Sequence, residues 1–171
     1  ILFMILDNKK YCVLIDKKNL SYHKKNINYY KLNIIKIKML TNNNLFNGTI
    51  LDGKLISMPE EKKDYFLIKD CYMIMNTSSE NTEMSQKMEY LNSILKNNFN
   101  GKNYCSNFIF KLNKLYDYED IEDIKKRAEK RDSNDIPIIG LEFFPKFSGI
   151  SVVWLNRKNN TKITINDKIS N

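Results

Sequence analysis

Apolar residues in the N-terminal half come in short runs split by polar clusters, the pattern of strands joined by turns. Residues 1–6 and 11–15 are apolar and flank Asp7-Asn8-Lys9-Lys10, so a hairpin is expected there. Residues 33–40 alternate in their second half, as a half-buried strand does. Strands are expected again at 49–57 and 65–75, joined by a charged turn from Pro59 to Asp64. The period then changes. Met84, Met88, Leu91 and Leu95 recur at spacings of four, three and four, which predicts an amphipathic helix over 83–95. A loop at 97–103, containing Gly101, leads to another alternating strand at 107–116. Residues 117–132 read as a second helix. Its acids lie in the first turn and Lys125, Lys126, Arg127, Lys130 and Arg131 lie late, the order the helix dipole favours. Apolar strands follow at 136–145 and 149–155, the latter with the single Trp. Strands first, with helices inserted late, define an α+β class.

Composition bounds this picture. With 171 residues and 42% hydrophobic content, the chain can fill the core of about one domain. No run of 18 apolar residues exists, so no membrane-spanning helix is expected. The opening ILFMIL lacks the basic lead-in and cleavage site of a signal peptide. The chain does not begin with Met, which suggests a piece of a longer one. Its net charge is +8, yet only Arg127, Arg131 and Arg157 are arginines, whereas bidentate phosphate or guanine recognition favours arginine. Abundant Lys, Asn and Ile are what an AT-rich coding sequence produces, so polyanion binding and compositional drift account for the charge equally well. Cys12, Cys71 and Cys105 sit far apart in apolar contexts with no CxxC spacing. They read as small buried hydrophobes in a reducing, intracellular compartment. The single histidine, His23, excludes a two-His metal site and leaves one imidazole base for any triad. Standing among lysines in SYHKK, it reads as a surface residue.

Among the motifs that carry chemistry, a Walker P-loop, GxGxxG and HExxH are all missing. The carboxylate clusters at Glu60-Glu61, Asp117/Glu119/Asp120 and Glu122/Asp123 fall in a turn or on a helix face and read as solvated charge. Two segments remain informative: FNGTILDGKLIS (46–57) and YFLIKDCYMIMN (65–76). The first is an apolar strand interrupted by Asp52-Gly53, where the missing side chain lets a ligand or another backbone come close.

These segments resemble the nucleotidyltransferase domain of mRNA capping guanylyltransferases, in the superfamily that also holds the ATP-dependent ligases. The matching pieces are Thr49-Ile50-Leu51-Asp52-Gly53-Lys54-Leu55, Tyr65-Phe66-Leu67-Ile68-Lys69-Asp70-Cys71, a helix at 87–95, Ile139-Gly140-Leu141-Glu142-Phe143-Phe144-Pro145, and Val153-Trp154-Leu155. The opening hairpin with Leu14-Ile15-Asp16-Lys17-Lys18-Asn19 is similar to the strand pair that follows the family's lysine motif. The resemblance covers residues 1–158 and leaves 159–171 as a polar tail. It implies a nucleotidyltransferase (ATP-grasp-like) core: two antiparallel sheets with packed helices, a nucleotide groove between them, and no OB-fold within this chain. It also implies GTP with Mg²⁺ or Mn²⁺, a 5′ RNA end as acceptor, and a lysyl-GMP intermediate. By resemblance, Lys54, Lys69 and Gly140 line the groove, Asp52 shapes its rim, and Trp154 stands between the phosphate-contact positions.

The contact positions depart from the family. No K-x-D-G occurs, and Ile50 stands where the lysine would align with the only Asp-Gly. If the alignment holds, the nucleophile's motif would precede Ile1. Lys54 replaces an acid, Lys69 an aromatic, Ile139 an acid, and Val153 and Leu155 two lysines. Three readings follow: a guanylyltransferase domain, a non-catalytic RNA 5′-end or cap-binding relative of snurportin type, or an unrelated basic α+β domain.

Overall fold

A computed structural model describes residues 2–6, 11–17, 20, 32–37, 43–58, 63–98, 108–129 and 140–155. Lys63 and Asp64 of the turn expected over 59–64 belong to a strand, while its residues 59–62, the expected turn at 7–10, His23, Gly101, Cys105, Ile139 and the tail at 159–171 lie outside the described residues. The rest falls into two compact units. One lies within Ile1–Leu115 together with Pro145–Gly149, the other within Tyr116–Phe144 together with Ile150–Asn171.

The first unit is built on a seven-stranded sheet. Strand β1 (Leu2–Leu6) forms the expected antiparallel hairpin with β2 (Tyr11–Ile15), with Leu6 opposite Tyr11. On its other side β1 pairs with β4 (Thr49–Met58), and β2 pairs with β3 (Ile34–Ile37). β4 in turn pairs with the long strand β5 (Lys63–Ile74). A two-residue turn at Met75-Asn76 then returns the chain as β6 (Thr77–Ser78). The half-buried strand expected over 33–40 is β3, which among the described strands pairs with β2 alone; its Ile37 is buried and its Ile34 and Ile35 are exposed.

Helix α1 (Met84–Asn98) lies where the hydrophobic spacing puts it and contacts β5 and β7 (Ile109–Leu112). It buries Met84, Met88, Leu91 and Ile94. Phe66, Phe108 and Phe110 form an aromatic cluster with ring centroids 5.3–5.8 Å apart. The expectation of purely antiparallel sheets needs one correction: β7 runs parallel to β5, from Tyr65↔Ile109 to Ile68↔Leu112. The crossover through α1 explains it, because a strand returning past a helix can re-enter in the same direction. The strand expected over 107–116 ends at Leu112, and residues 114–120 are exposed.

In the second unit, the helix expected over 117–132 begins as a 3₁₀ turn (Tyr118–Asp120) and continues as α2 (Ile121–Glu129). Asp117 occupies the cap position, but its side chain makes no capping hydrogen bond. β8 (Gly140–Phe143) and β9 (Val152–Leu155) pair antiparallel as a separate two-stranded sheet. β8 stops at Phe143, two residues before the expected end, and β9 begins at Val152, three residues after the expected start. Pro145, which has no N–H to give to a ladder, marks the limit of β8. The class is therefore α+β, with few helices and mainly antiparallel sheets.

Candidate functional site

The most polar stretch of the first unit's interior lies on β4 and β5. Along most of their length the two strands pair one to one, but the register jumps twice. It passes from Ile50↔Met73 to Leu51↔Cys71, and from Asp52↔Asp70 to Gly53↔Ile68. Each jump gives β5 one residue more than β4, at Tyr72 and at Lys69. Bulges of this kind bend a strand and re-aim its side chains. Here they bracket the two residue pairs that include both buried carboxylates, Asp52 and Asp70. Gly53 follows at once. A Cβ there would stand 2.5 Å from the Leu67 carbonyl oxygen and 2.8 Å from the Phe66 ring, so only glycine fits this crossing.

Each carboxylate is neutralised by a lysine from another part of the chain. Asp52 is ion-paired with Lys17, which follows β2, and its Oδ2 also accepts the Tyr72 hydroxyl at 3.2 Å. Asp70 is more deeply enclosed. Its Oδ1 accepts from Lys87 Nζ at 3.0 Å and from the Cys71 backbone N–H at 2.7 Å, while Oδ2 accepts the Ser148 hydroxyl at 2.8 Å. Lys87 Nζ also donates to Ser148 Oγ. The Lys87 side chain is only 1% exposed, and a lysine is tolerated at such a place only when paired. Cys71, beside this cluster, donates to the Met73 carbonyl oxygen at 3.3 Å. Burial pushes its thiol pKa up from 9.0 to about 11, against the opposing pull of its hydrogen bonds with Ser79 and Met73. It is therefore an inert thiol at neutral pH.

Of the residues singled out from the sequence, Asp52, Lys54 and Lys69 come together on β4 and β5. Asp52 is buried, Lys54 exposed and Lys69 half-buried. Gly140 and Trp154 belong to the other unit, where they pair in register with Leu155 and Leu141. Sequence reasoning gave no role to Lys87, Tyr72 or Ser148. Lys87 did carry a signal, since it falls on the apolar stripe of α1, three residues after Met84 and four before Leu91. Ser148 carried none.

Chemically, the stretch is a pair of satisfied carboxylates with lysines around it. Among the described residues no group of three or more His, Cys, Asp or Glu side chains comes together to hold a metal ion. Asp52 and Asp70 are already engaged by lysines, so these residues do not make a metal site of their own. No helix among the described residues is long and apolar enough to cross a membrane. Comparison with known protein families and with curated proteins returns no match for this chain.

Proposed function

We propose that this chain is the nucleotide-binding part of an mRNA guanylyltransferase-type nucleotidyltransferase domain, acting on GTP and a 5′ RNA end. One observation carries the reading. The two segments on which the resemblance rests are neighbours in the sheet, with Asp52 opposite Asp70 between two bulges. A strand that bends at the motif and places glycine beside it suits a ligand that needs close backbone approach. In the implied reaction a lysine amine attacks the α-phosphate of GTP. The new N–P bond forms as the bond to the bridging oxygen breaks, and pyrophosphate leaves. The GMP then passes to the terminal phosphate of a 5′-diphosphate RNA. Residues 1–171 contain no K-x-D-G, so the part assigned to them is binding and orienting the phosphates, with Lys54 and Lys69 in the contact positions. A divalent cation would enter with the phosphates.

A second reading is a non-catalytic module that binds capped or 5′-phosphorylated RNA. It is favoured by Lys54 and Lys69 standing where the family has an acid and an aromatic, since both changes add positive charge. Labelling decides between the two. The product of the full reading frame is incubated with α-labelled GTP and Mn²⁺ and then denatured. The expected result is label retained on the polypeptide through an acid-labile lysine linkage. Capped RNA retained without any adduct selects the second reading. Neither signal overturns both.

A further inference from the structure

Between β8 and β9 the chain leaves its own unit, and Pro145–Gly149 belongs to the first unit instead. Little apolar surface holds it there. Pro145, Lys146, Phe147 and Gly149 are exposed, and Ser148 is only half-buried. What holds it is polar. Ser148 Oγ accepts from Lys87 Nζ and donates to Asp70 Oδ2, and the Lys146 carbonyl oxygen accepts the Met84 backbone N–H at 2.8 Å. Lys146 Nζ also pairs with Glu83 at 2.7 Å, but both side chains are well exposed, and pairs of that kind contribute little. The segment closes on itself: a Cβ on Gly149 would lie 3.1 Å from Pro145 Cγ.

We propose that Pro145–Gly149 is a latch, closed by Ser148 on the buried Lys87–Asp70 pair, that opens without unfolding the sheet or α1. The physical reason lies in what each state leaves behind. When Ser148 withdraws, Lys87 and Asp70 still have each other, so opening strands no lone buried charge. Asp70 Oδ2 and the Met84 N–H turn instead to water. Local openings of this kind draw on the low end of a protein's range of stabilities. This inference does not depend on the nucleotide reading.

The Met84 amide reports the latch directly, since as the first residue of α1 it has no carbonyl within the helix to bond. Residue-resolved amide exchange on the intact chain is the test. Ser148→Ala is expected to speed exchange at Met84 by about ten- to a hundredfold, the range for losing hydrogen bonds to charged groups. Leu91, in the middle of α1, should keep its rate. Lys146→Ala, which removes the exposed ion pair and the contact of the ammonium with the Phe147 ring but keeps the carbonyl, should leave Met84 within about twofold. An unchanged Met84 in Ser148→Ala overturns the proposal, as does equal acceleration of Met84 and Leu91. So does a Lys146→Ala effect as large as that of Ser148→Ala.

Discussion

A lysine whose side chain is 1% exposed is rare enough to demand an accounting, and Lys87 has one. Its ammonium is met by Asp70 and Ser148, and Asp70 is further held by the Cys71 amide. Such a pair is expensive to break and cheap to replace. Lys87→Met leaves the Asp70 carboxylate buried without its counter-charge, and the expected loss is about 3–5 kcal/mol of unfolding free energy. Removing both charges together, as in Lys87→Met with Asp70→Leu, leaves no buried charge uncompensated, though the Cys71 N–H loses its carboxylate acceptor, and should recover part of that loss. Urea titration of the wild type, the two single variants and the double variant closes the cycle. A double variant as unstable as the sum of the singles would mean that the pair contributes through packing and not through charge.

At the scale of elements, most of the frame was legible in the sequence because it is local. Alternation and turn residues marked the β1–β2 hairpin, β4 and β5, and a 3.6-residue period marked α1. What could not be read depends on distant partners. Ser148 meets Lys87 across 61 residues and Asp70 across 78, and no periodicity encodes such contacts. The parallel entry of β7 and the two register jumps between β4 and β5 are likewise properties of pairing, not of either strand alone. One local feature runs against its own sequence. Met75 and Asn76 both take positive φ, 48° and 64°, in the two-residue turn between β5 and β6. Two such residues in succession suit Asn-Gly, whereas Met in the left-handed region costs about 1–2 kcal/mol. The Asn76 N–H is fixed to the Gly48 carbonyl at 2.9 Å and the Met75 N–H to Thr49 Oγ1 at 3.2 Å, which keeps the turn in place despite that cost. Met75→Asn with Asn76→Gly retains both amides and relieves the strain. It should raise stability by about 1 kcal/mol, read as a higher urea midpoint at unchanged slope.

For the molecule as a whole, a net charge of +8 favours non-specific attraction to any polyanion, so binding of RNA would not by itself show a site. The number of phosphates engaged, and which lysines engage them, separates a site from a charged surface. Each phosphate contact to a single strand contributes a slope of about −0.7 in log K against log salt. If Lys54 and Lys69 each hold a phosphate of a 5′-phosphorylated RNA, changing both to Gln should flatten that slope by about 1.4 and weaken binding most at low salt. The control is the same pair of changes at Lys96 and Lys114, which are exposed and lie outside the β4–β5 stretch. Both double variants lose the same net charge, so a general electrostatic attraction would respond to them alike. Only a localised site distinguishes them. Fluorescence anisotropy with a short 5′-triphosphate RNA, titrated from about 50 to 200 mM salt, gives the two slopes side by side. A flattening confined to the Lys54/Lys69 variant places the phosphates on the bulged strands. Equal slopes would assign the RNA affinity to net charge and remove these two lysines from the candidate site.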